Sequence, residues 1–307
     1  MRLFAVFTLL WPLALWADPP APPAPAQAAI PPEGIHMSNG VLTLGISARD
    51  AGAVSSIVYD GAEMVNDHDH GRQLQIAWSY NGLGEPDNPT EAGSAADGLG
   101  AKSTSQLLEV HAGDATVTTM SHPAYWYPPG FVSKKGGPSA ATQPVTADTL
   151  EKTLTLGYRG DPHVIVVDAA VTISPTLTAP EVASIIIETP AFYTAGFMTE
   201  SYLLDLKSGE CVQAASKAPQ RSGDTQRVLI LSSSDGRRAV GLFAPKAGNF
   251  MSYNCRYVDR HGLSDDNVAK VTVHYRQPAK AGDRLEYRTF AVVGDLETVK
   301  ASIRKLR

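Results

Sequence analysis

Cysteine is scarce in this chain: Cys211 and Cys255 are the only two. A disulfide-built scaffold is excluded, and a single bridge is the most that can form. In an oxidising compartment the even count suggests that these two pair, which for a loop of this length stabilises by roughly 3–4 kcal/mol. Two separate buried thiols are the alternative. Positive charge is also short, with 26 Lys and Arg against 31 Asp and Glu and a formal charge of −5. Nucleic acid, which demands clustered basic side chains, is therefore excluded as a partner. Beyond the first residues no apolar run approaches the roughly 20 residues of a membrane span, so the mature chain is not expected to insert into a membrane. Gly-Xaa-Ser-Xaa-Gly, phosphate-loop, dinucleotide and His-Glu-Xaa-Xaa-His patterns are missing, and no cofactor is implied. No Asn-Xaa-Ser/Thr tripeptide occurs, Asn88-Pro89-Thr90 being spoiled by its proline, and no fixed-period repeat points to a propeller or solenoid.

What the chain does have begins with a leader. Met1-Arg2 precedes an apolar run from Leu3 to Trp16, broken by Thr8 and Pro12 and followed by Ala17. This pattern predicts a signal peptide over 1–17, cleaved after Ala17, and a secreted or periplasmic product. No cysteine follows it to carry a lipid. Residues 18–34, DPPAPPAPAQAAIPPEG, favour extended polyproline II and form a linker. The remainder, 35–307, contains no second stretch of linker composition and reads as a single domain.

Within that domain short β-patterned segments alternate with Gly, Pro, Asn and Asp. Strands are predicted at 41–47, 53–59, 72–80, 104–111, 115–121, 149–158, 163–173, 182–188, 227–232, 238–243, 268–276 and 284–293. In 163–173, Ile165, Val167, Ala169, Val171 and Ile173 share one face, as in a strand facing a core. The C-terminus differs. Asp295 can cap a helix in which Leu296, Val299, Ile303 and Leu306 recur at helical spacing, and basic residues fill its last turn. The expected fold is all-β, a large antiparallel β-sandwich with a short C-terminal helix. Its longest connections, 81–102 and 128–148, are of a length that in compact domains often carries function.

Residues 66–94 concentrate polar side chains beside a strand. With Leu74, Ile76 and Trp78 facing the core, Gln73 and Gln75 project from the other face as a floor for hydroxyl groups, and Arg72 stands at the strand mouth. The following loop adds Asn88 and Glu91, and the Pro-bounded segment 121–130 adds His122, Tyr125, Trp126 and Tyr127. Aromatic faces beside carboxylate, amide and guanidinium groups suit a sugar ring, which has an apolar C–H face and polar edges. Plainer roles stand beside these: Arg72 paired with Asp67 or Asp69, Glu91 in solvent, an aromatic packed beneath the loop, and Asn88 starting a turn. Asp67-His68-Asp69-His70 offers metal-ligand chemistry, but a closed site needs three or four ligands and no further ligand pattern appears, so no metal is expected.

SNGVLTLGIS, GAVSSIVYDGAEMVNDHDHGR and the closing YRTFAVVGDLETV resemble the galactose-mutarotase-like super-sandwich proteins, which bind or process sugars. The resemblance covers nearly all of 35–307 and implies the super-sandwich fold. In the epimerases of that group a carboxylate acts as base and a histidine as acid, and an arginine follows a glycine at a strand entry, as Arg72 follows Gly71. His122 and the aromatics after it are similar to the family's histidine motif. The Asn-Arg pair of the epimerases is replaced by Leu74-Gln75, and the His-Xaa-Tyr-Phe-Asn pattern is missing, which argues against simple aldose epimerisation.

Together these readings predict an extracytoplasmic protein acting on a poly- or oligosaccharide by acid/base chemistry of the glycoside hydrolase or lyase type. Glu91 with His70 or His122 forms the acid/base pair, and Arg72, Gln73, Gln75, Asn88, Tyr125 and Trp126 bind substrate. A non-catalytic glycan-binding module and an envelope assembly factor are the alternatives.

Overall fold

The structure, a computed structural model, describes residues 29–133, 137–175, 184–214, 220–222, 226–245, 249–258 and 265–307, with backbone alone at 133, 220–222, 249–258 and 265–268. The expected leader and most of the linker lie outside the described residues.

Two antiparallel sheets face each other. The first, of 11 strands, runs β1 (Ile35–Ser38), β2 (Leu42–Ile46), β3 (Val54–Tyr59), β5 (Leu74–Tyr80), β14 (Ser184–Thr194), β21 (Asp265–Pro278), β20 (Asn249–Val258) and β17 (Gln220–Ser222). β4 (Ala62–Glu63) flanks β3, while β6 (Pro89–Thr90) and β9 (Ala124–Tyr125) extend the sheet beyond β5. The second, of 9 strands, runs β16 (Cys211–Gln213), β15 (Glu200–Asp205), β18 (Arg227–Ser232), β19 (Ala239–Phe243), β22 (Arg284–Gly294), β13 (Asp161–Thr172), β12 (Thr149–Tyr158), β8 (Thr116–His122) and β7 (Gln106–Ala112). A small hairpin of β10 (Val132–Ser133) and β11 (Gly137–Pro138) decorates a loop.

Alternation explains the layering. On β5, Leu74, Ile76 and Trp78 turn inward, and on β21 Val271, Val273 and Tyr275 do the same, with Tyr275 meeting Tyr287 of β22 across the sandwich at 4.9 Å between ring centroids. β12 shows what strict alternation costs: Leu150, Lys152, Leu154 and Leu156 all occupy the inward register, so a lysine ammonium enters the core. Such a charge persists only with a partner.

The outer face of the second sheet is covered by α1 (Leu296–Leu306), whose first turn is capped by Asp295 accepting from the Thr298 N–H at 2.7 Å. Val299 and Ile303 seat on Gly241 of β19, where a β-carbon would lie 2.7 Å from Ile303 Cδ1, so the helix approaches only because that position is glycine. β13 is consequently buried on both faces along Val164–Val167.

Cys211 lies half-buried on the edge strand β16, near Lys300 and Arg304. The side chain of Cys255 lies outside the described residues, and the expected pairing with it.

Candidate functional site

The segment 66–94 folds back onto its own strand. Glu91 is fully buried: one carboxylate oxygen takes a proton-bearing contact from the Lys152 ammonium, and the other accepts from the Ile76 N–H at 2.9 Å. Lys152 also donates to the Gly52 carbonyl at 2.9 Å. Glu91 is therefore the partner that the inward lysine of β12 requires, rather than a loop carboxylate open to ligand. His70, equally buried, is set between the carbonyl oxygens of Gly98 (2.9 Å) and Arg49 (3.1 Å).

The glutamines of the expected hydroxyl floor are likewise engaged. Gln75 donates to the Gly71 carbonyl and accepts from the Ala92 N–H, both at 3.0 Å, stapling the loop to the strand. The amide nitrogen of Gln73 is shared among Asp50, Asp67 and the Asp69 carbonyl. Arg72 is buried with Asp69 at 3.5 Å. The physical reason is coverage: loops 81–105 and 123–146 lie over this end of the sheet, and every residue of β5 is buried on both faces.

The rim is more open. Asn88 is half-buried, and its carbonyl accepts from the Trp126 N–H at 2.8 Å; the Trp126 ring packs on Gly71, where a β-carbon would fall 2.6 Å from Cη2. Tyr125 is half-buried, and burial first, then the charges of Asp87 and Asp148, raise its hydroxyl pKa. Burial and Asp148 push the Asp87 carboxyl up to about 6. His122 ends β8 with Nδ1 2.7 Å from the Asp148 carbonyl oxygen. Thus Arg72, Gln75, Asn88, Glu91 and Trp126 are brought together around β5, β6 and β9, but largely as the folded interior of the loops. Among the described residues no group of three or more His, Cys, Asp and Glu side chains gathers as a metal site.

Farther across the first sheet, along β14 and β21, the outer face becomes partly exposed at Ile186, Glu188, Lys270, His274 and Arg276. Strand register sets Ser79, Ile186 and Arg276 in one row, Ala77, Glu188 and His274 in the next, then Gln75, Ala191 and Thr272. An extra residue in β14 between Glu188 and Ala191 makes a bulge in this row order, and Tyr193 stands opposite Lys270 beyond it. Glu188 is held at both oxygens, by the Lys270 ammonium at 2.6 Å and by His274 Nε2 at 2.9 Å. The three side chains keep 21%, 12% and 17% of their surfaces exposed. Lys270 also lies 4.9 Å above the Tyr193 ring. Burial pushes the Glu188 carboxyl up, but Lys270 and the His274 hydrogen bond outweigh it and hold the group down at about 2.

Glu188 is accordingly a fixed anion. It accepts the Nε2 proton of His274 and leaves Nδ1 as the ring atom that can exchange a proton with a ligand. Lys270 and His274 lie 82 and 86 residues from Glu188, and the trio carries no shared motif in the sequence. A local signal existed: in KVTVHYR the polar residues Lys270, Thr272, His274 and Arg276 alternate with core residues.

Elsewhere an open cleft of about 510 Å³ lies between the β2–β3 edge and β13, lined in part by Ser38, Thr43, Tyr59, Asp60 and His163. Its one carboxylate, Asp60, is already engaged by Arg237 and Arg238. His163 points Nδ1 at the Val293 carbonyl oxygen, at 2.8 Å. The Glu188 face carries the more complete acid/base arrangement.

No family model matches the sequence, and no curated protein does. Solved structures do match in shape. A galactose mutarotase-like protein from Lactobacillus casei ATCC 334 superposes with a TM-score of 0.50 at 12% identity, covering 85% of this chain and 99% of that one. A protein from Escherichia coli K12 assigned as an aldose 1-epimerase gives 0.50 at 10% identity, with 85% and 98% covered. With its two antiparallel sheets and single short C-terminal helix, this chain has the galactose-mutarotase-like super-sandwich fold.

Proposed function

We propose that the chain is an extracytoplasmic carbohydrate-active protein whose ligand lies on the partly exposed outer face of the first sheet, across Glu188, Lys270 and His274. The observation that carries this reading is the carboxylate held between an ammonium and an imidazole on a surface that solvent reaches. A purely structural ion pair needs no third partner, and the histidine gives the group a proton to move. The names of the two proteins with the same fold, a mutarotase-like protein and an assigned aldose epimerase, support a sugar as ligand. The leader-like residues 1–17 support export.

The chemistry follows from the geometry. Glu188 orients the His274 ring and stabilises its positive charge, and His274 Nδ1 takes a proton from a ligand or gives one to it. Lys270 fixes the carboxylate. Half-buried Tyr193 beside it offers an aromatic face to a pyranose ring. Acid/base action on an oligosaccharide, by hydrolysis or elimination, is the reading we favour. Non-catalytic glycan binding is the second reading, and one observation favours it: Glu188, held at about 2, stays an ionised carboxylate, whereas such reactions ordinarily use two groups that exchange protons.

The test is incubation of the exported protein with a polysaccharide panel, following reducing ends and unsaturated-uronate absorbance together, beside His274→Asn. Turnover in the wild type that falls at least about 100-fold in the variant supports catalysis. Binding without turnover selects the second reading, and neither rejects the proposal.

A further inference from the structure

The same face carries an arginine that no group among the described residues engages. Arg276 follows His274 by two residues on β21, shares its face, and is exposed. Among the arginines whose side chains are described it is the one without an ion pair, a carbonyl oxygen or an aromatic ring as partner. The contrast with the second sheet is instructive. There Arg284 grips both oxygens of Glu151 on β12, and Arg288 grips both oxygens of Asp168 on β13. Cross-strand carboxylates neutralise both. The cross-strand neighbour of Arg276 is Ile186, half-buried and apolar.

Charge and spacing then restrict the ligand. Lys270 is neutralised by Glu188, so among the described residues the uncompensated charge of the face is the Arg276 guanidinium. Residues two apart on one strand face are about 6.5–7 Å apart, close to the breadth of one sugar ring. A ring lying over Ile186, with one edge at His274, presents its neighbouring substituent to Arg276. Guanidinium geometry matches a carboxylate through two parallel hydrogen bonds.

Resting on the reading that this face binds sugar, we infer that the ligand is an anionic glycan, a uronate-bearing oligosaccharide whose carboxylate is held by Arg276 while its ring lies at His274. Ile186 supplies the apolar floor between His274 and Arg276.

Calorimetric titration of the full exported chain tests this with tetrasaccharides of galacturonate, glucuronate and mannuronate, each beside its carboxyl-reduced counterpart. At least one uronate is expected to bind on the order of tenfold or more tighter than its reduced form, the size of one charge-assisted contact. Arg276→Gln brings the two affinities together, and Arg276→Lys, which keeps the charge and loses the fork, falls between. A preference that survives Arg276→Gln, or equal binding of acidic and reduced sugars by the wild type, overturns the inference. If reduced tetrasaccharides bind and His274→Asn weakens them, the face is a sugar site but not an anionic one. If none of the six binds, the sugar-site reading falls along with the inference.

Discussion

Replacing Glu188 with Gln keeps the shape of the side chain and removes its charge, and the consequences can be worked out from its surroundings. In the folded protein burial raises the carboxyl's pKa, but Lys270 and His274 more than reverse this and bring it from its ordinary 4.5 to about 2. A lowered acid pKa means that folding favours the ionised form. The stabilisation is fully present above pH 4.5 and is lost as pH falls toward 2. At roughly 1.4 kcal/mol for each pH unit, the interval corresponds to roughly 3 kcal/mol. Urea unfolding of wild type and Glu188→Gln at pH values from 7 down to 3 should show the variant less stable by roughly that amount at pH 7, with the gap narrowing below pH 4.5. A gap that stays constant down to pH 3, or one below about 0.5 kcal/mol at pH 7, within the range of ordinary surface substitutions, would refute the reasoning. It would mean that the carboxylate is not held as the geometry describes.

Three further outcomes are expected. Glu91→Gln should destabilise by about 3–5 kcal/mol, because it strands the Lys152 ammonium in the core, whereas replacing both with Leu and Met should recover much of the loss; denaturant titration of single and double variants decides. Gly71→Ala forces a β-carbon to 2.6 Å from the Trp126 ring and should cost about 1–3 kcal/mol, and a midpoint unchanged from wild type would show that the loop gives way freely. Asp50→Asn should raise stability at pH 8 by up to roughly 3 kcal/mol and have little effect at pH 4, since burial and Asp67 push this carboxyl from 3.8 to about 6. The stability held by its neutral form is present below 3.8 and lost as pH rises through 6. Thermal melts across that range check it.

Much of the architecture was legible because strand alternation is a local property. The predicted segments 149–158, 163–173 and 284–293 became β12, β13 and β22, and Asp295 caps the terminal helix as its spacing implied. Other features depend on pairing. Nothing in the stretch around Glu91 announces that Lys152, 61 residues away, will need a carboxylate, although a lysine in the inward register of Leu150, Leu154 and Leu156 is a visible demand for one. Gln73 and Gln75 sit on the face opposite the core, as alternation requires, yet loops that return over β5 cover that face, and loop return is not written in a period of two. The Glu188 trio spans separations of 82 and 86 residues. Its members are readable as outward residues of their strands, but that β14 lies beside β21 is a fact of topology alone.

The central claim is that the outer face bearing Glu188, Lys270 and His274 receives the sugar. It is tested most directly by following the imidazole nitrogen resonances of the protein by NMR while titrating an oligosaccharide that binds. The account predicts that, among the 8 histidines, the His274 ring signals shift with the binding curve and those of His163, in the cleft beside β2 and β3, stay in place. Saturable shifts at His163 with His274 unmoved would contradict it.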